Sequence, residues 1–262
     1  MPAAPTAIEP IRRPKTLLRV LVAVTVVAMI VMNVLANALP FFGRGTGTVS
    51  ALYPTLVTPA GYVFAIWGLI YIGLLAYSAA QFVTPLARDP LPDRLAWPLI
   101  VSNVANVVWL LLWQSLNIYW TVPVMLVLLI SLIAAYLIAR RARPDHPPAL
   151  ERWAVRASLG LYLGWISVAT IANISAALYA AGWSGWSIPA ALWGVIVLLV
   201  GSGLAFTTLA REGDGVFAGV FVWAFAGIAV ATSSTAVRFV AVALAIAIVI
   251  CIVVVVARRR TI

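Results

Sequence analysis

Two kinds of chemically versatile side chain are nearly missing from this sequence. One cysteine, Cys251, and one histidine, His146, occur in 262 residues. A lone thiol forms no internal disulfide, and neither a cysteine-based nor a multi-histidine metal site can be built from them. Charge is scarce as well: 9% of residues are Asp, Glu, Lys or Arg, against about 25% in a soluble domain. That excludes a soluble globular enzyme, a disordered chain and a small secreted disulfide scaffold. No acidic residue falls inside an apolar run. The seven are Glu9, Asp89, Asp93, Asp145, Glu151, Glu212 and Asp214, all at the edges of such runs. Buried carboxylates mark proton relays and cation pathways, so their absence argues against a proton-coupled transporter or a cation channel. It also removes carboxylate acid/base chemistry from the interior. Phosphate loops, zinc-protease motifs and nucleophile elbows are missing too. The string Gly43, Gly45, Gly47 precedes no soluble helix and reads as a flexible loop. His146, among prolines in a charged stretch, reads as a solvated loop residue, and Cys251, in a Val/Ile run, as a small buried hydrophobe.

What the chain has in abundance is apolar sequence: 64% of it is hydrophobic, with a mean hydropathy of +1.09. A hydrocarbon core about 30 Å thick is crossed by roughly 20 apolar helical residues. Eight stretches qualify, near 17–39, 61–84, 97–114, 118–139, 153–181, 188–209, 215–233 and 236–257. The connection at Gln114 to Asn117 is so short that its two spans form a tight antiparallel hairpin. With the N-terminus inside, all of the 17 Lys and Arg except Arg44 and Arg238 fall in cytoplasmic segments. This is the positive-inside pattern, and a seven-span chain would send Arg258, Arg259 and Arg260 outward against it. The net charge of +10 is thus a signal of topology and lipid head-group contact, with no need of nucleic acid. The expected protein is all-α, a polytopic helical membrane protein with eight transmembrane helices and both termini cytoplasmic. Residues 1–16 read as a disordered tail. The first span is longer than a signal-peptide core and is kept as a helix.

The interior carries amides, hydroxyls and aromatic rings. Asn33 and Asn37 lie one turn apart on the first span; Asn103, Asn106 and Trp109 share a face of the third; Tyr162, Trp165, Ala169 and Asn173 run down one face of the fifth. Each Asn by itself is explained by hydrogen bonding between helices, worth roughly 0.6–2 kcal/mol in a membrane. Together the three faces offer amide groups beside flat rings, which suits a large planar apolar ligand with a few polar groups. Of the 11 tryptophans, Trp97, Trp153, Trp183 and Trp186 sit at helix ends as interfacial anchors, and Trp120 and Trp193 fit that role too. Trp67, Trp109, Trp113, Trp165 and Trp223 lie deeper and need packing or a ligand. The pairs Gly160/Gly164 and Gly215/Gly219 have the spacing that permits close helix contact.

Three of these segments resemble the tryptophan-rich sensory protein family, also called the translocator protein or peripheral benzodiazepine receptor family. The second span reads Pro59-Ala-Gly-Tyr62-Val-Phe64-Ala-Ile-Trp67-Gly-Leu-Ile-Tyr71, the third carries Asn106-Val-Val-Trp109, and the fifth carries Tyr162-Leu-Gly-Trp165-Ile-Ser-Val-Ala169-Thr-Ile-Ala-Asn173. The Phe64 to Trp67 interval is one residue shorter than is usual in the family, and Tyr62, Val168 and Ala172 replace common Trp, Phe and Leu. The resemblance covers the first five spans. It implies a five-helix translocator-protein-like bundle over 17–181, followed by three additional helices and a basic tail over 182–262.

Family members bind porphyrins, sterols and synthetic aromatic ligands inside the bundle, near the loop after the first helix. The resemblance therefore implies a ligand site of Trp67, Tyr71, Asn106, Trp165 and Ala169, with Asn103, Trp109, Asn173 and Arg44 as secondary candidates. Arg44 is the nearest cation for porphyrin carboxylates. No catalytic residue, resident cofactor or metal is implied. The expected function is a membrane-embedded sensor or carrier for tetrapyrroles or similar apolar rings, in a bacterial inner or plasma membrane. A homodimer is the assembly the resemblance implies. Two other functions stay open: a secondary transporter of a neutral small solute, although no repeat relates 1–140 to 141–262, and, with less support, a porphyrin-degrading enzyme.

Overall fold

Backbone polar groups in hydrocarbon find no water, so an apolar run satisfies them within itself as a helix. The computed structural model describes residues 15–39, 41–142 and 147–260, with residues 259 and 260 by backbone only. The expected tail before Lys15, and His146, lie outside the described residues. The helices are α1 (Thr16–Ala38), α2 (Thr46–Ala51), α3 (Ile66–Ala80), α4 (Leu91–Gln114), α5 (Ile118–Ala142), α6 (Ser158–Ala180), α7 (Ala190–Glu212), α8 (Gly215–Ala231) and α9 (Thr235–Arg260). A 3-10 turn over Gly61–Ala65 leads into α3, and a π-helical turn over Glu151–Ala157 leads into α6. Among the described residues there is no strand.

Among the described residues, seven helices are long and apolar enough to cross a membrane. The remaining expected span, 215–233, is the shorter α8 of 17 residues, about 26 Å at 1.5 Å per residue. It nevertheless runs from one end of the bundle to the other. Asp214 at its start pairs with Arg140 at the end of α5, while Gly227 near its finish accepts a bond from Ala60, just ahead of α3.

Three boundaries differ from the sequence reading. The third span opens at Leu91 rather than near 97, because Pro92 lies in the first turn, where backbone N–H groups have no helical partner. The glycine string is not wholly loop: Thr46–Ala51 folds as α2. Thr16, assigned to the tail, opens α1.

Helices α1, α3, α6, α5 and α4 close a ring in that order, each touching the next. Outside it, α8 packs on α6 and α7, and α9 packs on α7 and α8. Glycines set the approach of α6 to α8. A Cβ on Gly160 would lie 2.6 Å from Asp214 Oδ2, and one on Gly164 3.0 Å from Val220 Cγ2, so α6 and α8 meet where only glycine fits. The second expected pair behaves otherwise: Gly215 only touches Ile252, and Gly219 has open space beside it.

Buried ion pairs hold one end of the bundle together. Arg19, 2% exposed, pairs with Asp93 at 2.7 Å and donates to the carbonyls of Gln81, Leu86, Ala87 and Asp89 at 2.8–3.2 Å. Asp214 accepts from Arg140 and from Tyr136 Oη, and caps α8 through Val216 N and Phe217 N. Arg156 pairs with the fully buried Glu151 at 2.8 Å. Charges that sequence alone read as topology markers thus also join helices.

Candidate ligand-binding site

Inside the ring, beneath α2 and the segment 53–64, lies a cavity of about 630 Å³, its open mouth included. Two aromatic groups wall it. On one side Trp165 of α6 meets Phe64 edge-on at 5.7 Å and Trp67 of α3 edge-on at 6.3 Å. On the other side Trp109 and Trp113 of α4 stack at 5.5 Å, with Tyr53 against Trp113 at 6.3 Å. The spacing of four residues puts Trp109 and Trp113 on one face of α4. Small residues of α6, namely Ala169, Ala172 and Ala176, leave the space between the two groups. Thr46, Ser50, Thr58 and Pro59, from the chain between α1 and α3, add to its lining.

Three polar atoms of lining residues are buried without a hydrogen-bond partner: Trp165 Nε1, Asn173 Nδ2 and Thr46 Oγ1. The first two are donors only. A buried polar group left unpaired costs roughly 1–3 kcal/mol, which an acceptor on a bound molecule would recover. Asn173 is aimed by its other atom: its Oδ1 accepts from Trp109 Nε1 at 2.8 Å. Trp113 is likewise fixed by donating to Thr46 O at 3.1 Å. Among the described residues lining the cavity there is no charged side chain.

Of the residues expected at the site, Trp67, Trp109, Trp165, Ala169 and Asn173 line the cavity together. The other four do not. Tyr71 stacks on the outer side of Trp67 at 5.6 Å. Asn106 is fully buried and engaged at both ends: its Oδ1 accepts from Asn33 Nδ2 at 2.8 Å and its Nδ2 donates to Tyr162 Oη at 3.2 Å. It ties α1, α4 and α6 together below the cavity. Asn103 donates to Thr25 Oγ1 at 3.1 Å. Arg44 is exposed and reaches only Phe42 O. The sequence reading did not place Thr46, Tyr53, Phe64 or Trp113 at the site. The i, i+4 step from Trp109 was the available signal for Trp113. None existed for Thr46 and Tyr53, which arrive through the path of the chain after α1.

A ring of long apolar helices around a cavity lined by aromatic and small uncharged side chains defines a polytopic helical membrane protein. The family model described as TSPO-like protein matches residues 19–256, and the chain belongs to that family. The match runs through α7, α8 and α9 as well as the first five spans. No curated protein and no solved structure matches the chain.

Proposed function

We propose that the protein binds a large, flat, apolar molecule bearing at least one hydrogen-bond acceptor, and acts as a membrane-embedded sensor or carrier for it. The observation that carries this reading is the pair of unpartnered donors, Trp165 Nε1 and Asn173 Nδ2, in an uncharged cavity walled by aromatic rings and small side chains. Rings offer stacking area, and the donors offer orientation. Tetrapyrroles are the first class to test. The uncharged lining adds a constraint: carboxylates of a porphyrin would have to stay at the mouth, because burying an unpaired carboxylate is costly.

The test is a titration of the purified full chain with protoporphyrin IX and with its uncharged dimethyl ester, read by tryptophan quenching. Free tryptophan amide and an unrelated membrane protein correct for nonspecific quenching. Saturable quenching by both, with the ester bound at least as tightly as the acid, is the expected result. Linear quenching equal to the controls would remove the porphyrin class, and solute counterflow in proteoliposomes would then favour a neutral-solute transporter.

A further inference from the structure

One of the helices outside the ring comes against the wall of the cavity. Helix α8 bears directly on the segment Pro59–Ala65, which supplies Pro59 and Phe64 to the cavity wall. Three contacts make the junction. Ala60 N donates to Gly227 O at 3.1 Å. Trp223 Nε1 donates to Val63 O at 2.9 Å. The Trp223 ring also meets Tyr62 edge-on at 5.5 Å. Between the two hydrogen bonds Val63 packs onto the bare backbone of Gly227, where a Cβ would overlap Val63 Cγ2. Val63 is fully buried, and a β-branched side chain has few rotamers to escape into. Backbone is therefore held to backbone at a fixed distance, one helical turn from Trp67.

We infer that α8 is a working part of the ligand site: Gly227 and Trp223 are positioning residues that hold Pro59–Ala65, and with it Phe64, closed over the cavity. Neither residue lines the cavity, so each acts through the segment it holds. The effect on a ligand rests on the binding reading above; the hold on the segment does not. A side chain at Gly227 pushes Val63 and the turn away from α8, which displaces Phe64 from Trp165 and widens the mouth.

The experiment uses the full chain in a Cys251→Ser background with a cysteine at the lining position Ser50, labelled by a maleimide in detergent. Gly227→Ala raises the labelling rate about fivefold or more, the size expected when an overpacked contact is forced apart. Val63→Ala in the same chain removes the overlapping methyl groups and returns the rate toward the parent. Gly219→Ala, on the same helix with open space beside it, leaves the rate unchanged. Should Gly227→Ala fail to fold, Trp223→Phe keeps a ring against Tyr62 and removes only the bond to Val63 O, and it too raises labelling. An unchanged rate in the folded variant, an equal rise in Gly219→Ala, or no rescue by Val63→Ala would each overturn the inference. Protoporphyrin IX affinity is read in the same variants. A parent that binds no porphyrin defeats that ligand reading alone, while the labelling rates still decide the role of α8.

Discussion

At the residue scale, Trp165 and Asn106 show how one kind of side chain serves two ends. Both are polar and buried on helices of the ring, at 2% and 0% exposure. Asn106 has found its partners on α1 and α6; the indole N–H of Trp165 has none. Opposite outcomes follow on substitution. Trp165→Phe keeps a ring against Phe64 and Trp67 and loses one donor. Affinity for the porphyrin ester falls about two- to tenfold, the worth of a neutral hydrogen bond of roughly 0.5–1.5 kcal/mol, while the thermal midpoint holds. Asn106→Leu strips Asn33 and Tyr162 of a partner. Stability falls by about 1–3 kcal/mol, read as a lower thermal midpoint in detergent, and ligand affinity changes little. A shared loss of affinity in Asn106→Leu with an unmoved midpoint would return Asn106 to the ligand site.

At the scale of elements, α1 is held by Arg19 as well as by its apolar face. The guanidinium accepts no hydrogen bond; its N–H groups serve the carboxylate of Asp93 and four carbonyls of the chain between α3 and α4. Gln81 returns a bond, from its Nε2 to Arg19 O at 3.0 Å. These contacts join α1, the end of α3 and the first turn of α4. Removing one partner of a buried ion pair costs more than the pair contributes, because the other charge stays buried. Arg19→Gln is expected to lose about 3–5 kcal/mol, seen as a large fall in thermal midpoint and faster proteolysis within residues 82–90. Arg44→Gln, with an exposed guanidinium, leaves both unchanged. Equal behaviour of the two variants would show that Arg19 is an ordinary interfacial cation.

At the scale of the molecule, α8 decides the parity of the chain. Among the described residues, seven helices pass the length and hydropathy expected of a span, and a chain crossing seven times would place its termini on opposite sides. We propose that α8, whose route runs from Arg140 and Gly160 to Ala60 and Val63, adds an eighth crossing. We propose that both termini face the cytoplasm, as the basic residues of the loops favour. Single cysteines at Thr6, Thr48 and Thr261 in the Cys251→Ser background test this with an impermeant maleimide. In intact cells only the cysteine at Thr48 is expected to react, and in inverted vesicles only the other two. Labelling of the ends from opposite sides would mean that α8 does not cross. Around the bundle, exposed Phe239, Ile246 and Val253 of α9 present the apolar surface that lipid requires.

Sequence alone determined the membrane setting, the long helices and, in the cavity wall, Trp67, Trp109, Trp165, Ala169 and Asn173. Hydropathy runs and basic loop residues are local properties, and an i, i+3, i+4 pattern places Trp165, Ala169 and Asn173 on one face wherever the helix goes. Asn106 lay on such a face too, yet its amide faces Asn33 rather than the cavity, because a face says nothing of which neighbour it meets. Only the tertiary structure decided that Thr46 and Tyr53 come over the site, that Arg19 and Asp214 are buried and paired, and that α8 bears on Val63. Each of those contacts joins residues distant in the chain across a gap of a few ångströms. The relative placement of whole helices sets that gap, and packing at glycines such as Gly160 and Gly227 sets the placement.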